Sequence, residues 1–283
     1  MSLRYAYNTN GCAHHRLPDA LRLIAAAGYD GVALTLDWQH LDPLAQDWRA
    51  KTEGVRGWLE ELGLDCVIET GARYLLDPTE KHEPTLINPS AGGRARRVEF
   101  LKRAVDIGKI LGAETVSFWA GVRQPSVSPE DAMAYLVDGV VRVTEYAVEQ
   151  GMSISLEPEP GMLIETNADY QKLLAANPRL ECDLSLALDL GHVWVTGEEP
   201  PARAVERFAD RLGTVSIEGM NRGVHLHLPP DEGDMDLSPL LRALRDIDFR
   251  RLVCLELSRE SPRAHRAIPD GLAFLKQLEA QLV

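Results

Sequence analysis

Four times in the first half of the chain, an amphipathic helical pattern runs into a glycine and then directly into an apolar run. The stretches are AAAGYDGVALTL around Gly28, EELGLDCVIET around Gly63, ILGAETVSFWAG around Gly112 and VEQGMSISLEPEP around Gly151. Glycine lacks a Cβ, so it takes the left-handed backbone that ends a helix at little steric cost. The near-continuous apolar run that follows each glycine is the pattern of a strand buried on both faces. Helix, cap and strand recurring at intervals of 35, 49 and 39 residues predict stacked βα units with parallel strands. Such folds keep their chemistry at the carboxyl ends of the strands. The most unusual acidic and histidine residues of this chain fall at those ends.

Eight strands are expected, at about Arg4–Asn8, Gly31–Leu36, Cys66–Thr70, Thr115–Ala120, Ser153–Glu159, Ser185–Asp189, Thr214–Glu218 and Leu252–Leu257. Helical patterns lie between them. Ser128-Pro129-Glu130-Asp131 combines a cap serine, proline at the first helical position and acids in the first turn. Thr166-Asn167-Ala168-Asp169 opens another helix. Eight strands alternating with helices are the count of a closed (β/α)8 TIM barrel, and with no break in composition the α/β reading is one domain over residues 1–283. The longest irregular piece, Gly71 to Gly93, reads as a lid or binding loop.

Composition narrows the function. The net charge of −13 argues against general affinity for phosphate backbones, so nucleic acid is not an expected partner. It leaves room for a small phosphorylated ligand, which one arginine can serve locally. No run approaches the ~20 apolar residues of a membrane span, and the N-terminus lacks a basic region followed by an apolar stretch. Cys12, Cys66, Cys182 and Cys254 show no paired spacing and read as buried free thiols of a cytoplasmic protein.

The chemistry concentrates after strands five to eight. Strand five runs into Leu156-Glu157-Pro158-Glu159-Pro160, where two prolines end the ladder with acids at its tip. Strand six ends in Asp189-Leu190-Gly191-His192, and strand eight carries Glu256 inside an apolar run. A buried charge is costly unless it is paired or metal-bound. Singly, each acid is as well explained by a salt bridge or a helix cap. Three at the same end of three barrel strands suit one divalent cation, Mn, Mg or Co, with Zn also fitting the donor set.

These strand ends, together with Gly112-Ala113, Asp189-Leu190-Gly191-His192 and the stretch from Leu228 to Asp236, resemble the xylose isomerase-like TIM-barrel superfamily. Within it the likeness is to sugar (phosphate) isomerases and epimerases of the tagatose epimerase / AP endonuclease 2 type, which share an origin with endonuclease IV. The resemblance covers essentially the whole chain and implies a metal held from strands five to eight, with two glutamates exchanging a proton at carbon. Carried over, Glu157 and Glu256 are metal ligands and the acid/base pair, and Asp189 is a ligand. His192 contacts a substrate oxygen, Arg222 binds a hydroxyl or phosphate, and Trp119 lines the sugar pocket. The implied partner is a small sugar or sugar phosphate, in a cytoplasmic enzyme whose oligomeric state stays open.

One position departs from that pattern. The strand-seven ligand is normally histidine, and Ser216 stands there in Thr214-Val215-Ser216-Ile217-Glu218. Glu218, two residues on, faces the same side of the strand. His225 or His227 from the following stretch, bracketed by Gly223 and Gly233, is the other replacement. A third outcome is weak or absent metal binding in a degenerate, non-catalytic relative. Proton transfer next to a carbonyl through an enediolate is the expected chemistry. A dehydratase is the alternative on the same fold, and endonuclease-like repair is disfavoured by charge.

Other residues carry bland readings beside functional ones. Adjacent His14 and His15 are more simply solvated, and His82 and Glu83 either close over substrate or sit on a surface loop. Glu69 either pairs with Arg73 or meets the ligand. His40 and His265 read as surface, and Glu181 and Asp183 lie at the opposite, stabilising face of the barrel.

Overall fold

The computed structural model describes residues 2–282. Gly28, Gly63, Gly112 and Gly151 all have positive φ, between 65° and 92°, and each caps the helix before it. The strands they introduce are parallel and close on themselves. In chain order the strands are β1 (Arg4–Asn8), β2 (Gly31–Thr35), β3 (Asp65–Glu69), β4 (Val116–Trp119), β5 (Ile154–Glu157), β6 (Leu184–Asp189) and β7 (Leu212–Ile217). An antiparallel pair follows, β8 (Gly219–Asn221) and β9 (Val224–Leu228), and then β10 (Leu252–Leu255). β1 to β7 and β10 form one eight-stranded barrel, closed where β10 pairs with β1. The fold is a (β/α)8 TIM barrel.

Among the described residues ten helices surround the strands: α1 (Leu17–Ala27), α2 (Trp48–Leu62), α3 (Ala91–Leu111), α4 (Pro129–Gln150), α5 (Asn167–Ala175), α6 (Pro178–Asp183), α7 (Leu190–Thr196), α8 (Pro201–Arg207), α9 (Ser238–Asp246) and α10 (Ala264–Ala280). The expected caps are in place. The Ser128 hydroxyl accepts from the Asp131 N–H, and Thr166 and Asp169 form a reciprocal capping box. None of the described helices is long and apolar enough to cross a membrane.

The period-2 alternation of each strand sorts its residues. Tyr5, Tyr7, Val32, Leu34, Cys66, Ile68, Val116, Phe118, Ile154 and Leu156 join the main core with the helices. The alternate set faces the barrel lumen. At its base this set is small and apolar, with Ala6, Ala33, Val67, Leu252 and Cys254 forming their own cluster. Thr115 and Ser155 hydrogen-bond at 2.8 Å on the β4–β5 side. One pleat higher the same parity reaches Asn8, Thr35, Glu69, Trp119, Glu157, Asp189 and Glu256. The polar layer therefore sits at the carboxyl ends by alternation alone.

Two local expectations are corrected. The stretch Gly223 to His227, read as a loop, is a hairpin strand: Gly219 pairs with Leu228 and Asn221 with Val224. Its alternation Val-His-Leu-His-Leu is that of a ribbon with one face covered. Cys12, Cys66 and Cys254 are buried free thiols, whereas Cys182 is exposed because its position in α6 points outward. At the amino-terminal end, Arg4 pairs with Glu114 at 2.7 Å and with Asp65, tying β1 to β3 and to the turn before β4. That face carries stability.

Candidate active site

The lumen layer opens into a cavity of about 300 Å³ at the carboxyl ends of the strands. Glu157, the last residue of β5, and Glu159, held just beyond it by Pro158, form its β5 wall. Asp189 ends β6 and is also the N-cap of α7, its Oδ1 accepting the His192 N–H at 2.8 Å. This cap orients both partners. His192 Nδ1 lies 3.1 Å from the Pro158 carbonyl oxygen, which can only accept, so Nδ1 carries the proton. In the neutral ring Nε2 is then an acceptor; it lies 3.6 Å from Asp189 Oδ2, and neither atom has a hydrogen-bond partner.

Two buried acceptors facing each other are unfavourable unless a proton or cation lies nearby. Three groups of side chains bring potential ligand atoms within 4.8 Å of one another: Asp189, His227 and Glu256; Glu157, Glu159 and His192; and His192, His225 and His227. A mixed carboxylate–imidazole set of this kind fits a divalent cation. The unpartnered buried atoms fit it too.

Ser216 lies in register with both Asp189 and Cys254, so it occupies the lumen position of β7 where the histidine was expected. The hairpin fills the gap. β9 folds back across the mouth and carries His225 and His227 on one face, stacking them with His192 at centroid distances of 4.7 and 5.8 Å. His227 is thereby brought to Asp189 and Glu256. Glu218 is not in any of the three groups. It is fully buried with its Oε2 3.8 Å from His227 Nδ1, behind the imidazole. This is the placement of an outer carboxylate that orients a ligand histidine.

The hairpin is anchored from outside. Asp234 Oδ1 accepts from Trp194 Nε1 at 2.7 Å and from the Arg222 N–H at 2.9 Å. The Arg222 guanidinium stacks 3.7 Å over Trp194. Arg222 is therefore not among the residues lining the cavity, and its visible role is to fasten the hairpin to α7.

Carboxylates outnumber cations at the floor, and their affinities for protons respond. Burial, then Glu159, Glu69 and Glu256, push Glu157 well above the ordinary carboxylate range. Burial and Glu256 do the same to Glu69, and burial and Asp189 to Glu218. Burial would raise Asp189 as well, but His192, His227 and the His192 N–H outweigh it and hold it low. Burial would lower His227, yet Glu256, Glu218 and Asp189 push it up to about 10. Such mutual perturbation in a cleft marks functional sites.

Trp119 lies inside the cavity as its strand parity requires, with His82 edge-on at 5.1 Å and the buried Arg97 guanidinium 4.3 Å from its ring. His82 thus faces the cavity, while Glu83 hydrogen-bonds within its own loop to Thr85 and Asn88. Glu69 also lines the cavity and makes no ion pair with Arg73 among the described residues. His14 bonds Ser261 at 2.6 Å, and His265 is exposed. Sequence reasoning undervalued Glu159, and it overlooked Asn10, whose Nδ2 donates to Glu256 Oε1 at 2.8 Å. The double-proline punctuation around Glu159 was the available signal for the first. Nothing local marked Asn10.

The parallel barrel thus carries carboxylates and histidines together at the carboxyl ends of its strands. The chain belongs to the xylose isomerase-like TIM barrel family, whose model matches residues 21–278. It is 26% identical over 239 residues to the L-ribulose 3-epimerase of Methylomonas sp. (strain DH-1), covering 82% of this chain and 75% of that protein. It is 25% identical over 256 residues to the fructoselysine 3-epimerase of Shigella flexneri, covering 87% of each. Against the inosose dehydratase of Geobacillus kaustophilus (strain HTA426), 24% identity extends over 46% of this chain and 47% of that one. The barrel superposes on the zinc-bound IOLI protein with a TM-score of 0.78 at 17% identity over 99% of both chains.

Proposed function

We propose that this chain is a divalent-metal-dependent sugar or sugar-phosphate epimerase or isomerase that works by proton transfer next to a carbonyl. The observation that carries the reading is the convergence of Asp189, His227 and Glu256 within 4.8 Å, beside Glu157 and above a barrel lumen otherwise filled by small side chains. The epimerase relatives support the same chemistry, and the barrel's likeness to IOLI, solved with a bound zinc atom, is in keeping with a cation.

Asp189, His227, Glu256 and Glu157 would hold the cation, with Glu218 steering His227 from behind. A bound divalent cation supplies Lewis-acid polarisation of the substrate's carbonyl and hydroxyl oxygens. Glu157 and Glu256 come from strands separated by β6 and β7, so they reach a substrate from two sides. One carboxylate takes the proton from carbon while the carbonyl oxygen gains the electron pair as an enediolate. Delivery from the other side inverts the carbon. His192, Nε2 toward the cavity floor, contacts the substrate oxygen, and Trp119 offers its face to the sugar's C–H bonds. Asn10 holds Glu256 in a fixed rotamer.

The test is hydrogen exchange. Incubated in deuterium oxide with Mn and a panel of ketoses and ketose phosphates, the protein should introduce deuterium next to the carbonyl, and Glu157→Gln and Glu256→Gln should not. A broad panel without exchange, with metal demonstrably bound, would refute the reading. Loss of water from an inosose in place of exchange would favour the dehydratase reading, which the Geobacillus relative motivates.

A further inference from the structure

The proposed reaction uses the acidic and histidine side of the cavity and leaves the opposite wall without a task. Arg73 and Lys81, from the long loop after β3, and Arg259, just beyond β10, line the same cavity. None of the three makes an ion pair or a side-chain hydrogen bond among the described residues. With 43 acids against 30 bases, a basic side chain in this protein finds a carboxylate easily, as Arg4 does twice over. Lys81 and Arg259 are exposed and Arg73 is half-buried, so water can solvate all three; what sets them apart is that they share the rim of one cavity.

A fourth cation stands behind them. Arg97 is fully buried, donates to the Thr70 carbonyl at 3.2 Å, and leaves Nε and Nη1 without partners. Its guanidinium lies against Trp119, and no described carboxylate comes within 4.0 Å of it. In a low-dielectric interior its charge is weakly screened. Arg73, Lys81 and Arg97 act together on His82, which burial first, and these cations after it, hold toward its neutral form. The cavity therefore carries excess negative charge under β5 to β10 and a group of cations, Arg73, Lys81 and Arg97, above Glu69 on the β3 and β4 side, with Arg259 at the β10 edge acting on His225.

A neutral sugar has no use for such a wall, because hydroxyl groups are served by uncharged donors and acceptors like those of Asn8 and Thr35. An oxyanion has: arginine and lysine are the side chains that bind phosphate or carboxylate. The acidic floor would repel that group from the reacting end, so the charge pattern also orients the molecule. We propose that the substrate is a polyhydroxylated carbonyl compound with an anionic group, phosphate or carboxylate, at the end remote from the reacting carbon, and that Arg73 and Lys81 bind this group with Arg259 at the outer edge. This rests on the carbonyl-chemistry reading of the floor, since that reading sets which end reacts.

Binding of polyols that have no aldehyde or ketone and cannot react tests the wall apart from the chemistry. Calorimetry with the Mn-loaded protein would compare D-glucitol, D-glucitol 6-phosphate and D-gluconate, with inorganic phosphate alone as a reference. At least one of the two anionic polyols should bind about tenfold or more tightly than glucitol. Arg73→Gln and Lys81→Gln should each remove most of that preference. Preference for the phosphate alone or the carboxylate alone identifies the group. Equal binding of all three polyols, no measurable binding of any, or a preference that survives both substitutions overturns the proposal. Deuterium exchange on a neutral ketose as efficient as on its phosphate would also overturn it while leaving the epimerase reading intact. Alditol phosphate binding through Arg73 and Lys81 without exchange on any carbonyl substrate would do the reverse.

Discussion

Gly191→Ala tests how the proposed cation-holding residues are supported. Gly191 is the second residue of α7, between the cap Asp189 and His192. A Cβ there would lie 1.9 Å from Glu218 Oε1, 2.6 Å from Met220 Cε and 3.1 Å from Glu218 Cδ. Contact between such atoms begins at roughly 3.5 Å, so the carboxylate would have to retreat by more than about 1 Å. Glu218 is fully buried, and its carboxylate end is the part that must shift. It would move off His227 Nδ1, which it now approaches to 3.8 Å. In a helix, glycine to alanine is otherwise favourable by about 1 kcal/mol, whereas overpacking a buried site costs about 1–3 kcal/mol. Stability should therefore fall by no more than about 2 kcal/mol, a Tm shift of a few degrees for a chain of this size. Metal affinity should fall further, by about 10–100-fold, the usual effect of disturbing an outer carboxylate. Thermal unfolding without metal and Mn calorimetry on the same variant separate the two. A variant about 1 kcal/mol more stable than wild type, with unchanged Mn affinity, would show that Glu218 does not wedge His227 into place.

Further outcomes follow from the same geometry. His227→Ala should lower Mn affinity by about 100-fold or more and Glu218→Ala by about tenfold, while Ser216→Ala leaves it unchanged; equal effects from Glu218→Ala and His227→Ala would place Glu218 among the ligands. Burial chiefly lowers the half-buried His82 from 6.5 to about 4, so the fold favours its neutral form. That stability is fully present above pH 6.5 and is lost as pH falls toward 4, by about 1–2 kcal/mol once screening of a part-exposed ring is allowed for. Urea titrations of wild type and His82→Gln across that window should differ in slope, and identical slopes would refute the assignment. Gly233 has φ +89° and a Cβ position 2.5 Å from the Met220 carbonyl oxygen, so Gly233→Ala should displace the hairpin, weaken metal binding and speed proteolysis between residues 219 and 235; wild-type behaviour in all three assays would count against the hairpin as the carrier of His227.

The sequence by itself determined the barrel and most of its polar layer. Four of the βα units carry a local signal, a glycine with positive φ that ends the helix before a strand, and strand ends alone placed Glu69, Trp119, Glu157, Asp189 and Glu256 at one face before closure was considered. What closure alone decided is which of these side chains meet. Glu218 and His227 were both open as replacements at the Ser216 position, and strand parity favoured Glu218. Only the tertiary structure shows that β7 ends at Ile217 and that His227 rides on a hairpin, which brings it to Asp189 and Glu256. Arg222, in the hairpin turn itself, was assigned to the ligand by resemblance; its guanidinium stacks on Trp194, and it is not among the residues lining the cavity. The unpaired wall of Arg73, Lys81 and Arg259 was invisible for the same reason. Residues 73, 81 and 259 share no local period, and a missing partner becomes visible only when every neighbouring strand is in place. Conformational preference acts over a few residues and is written in the chain, whereas convergence and charge balance depend on contacts across the closed ring.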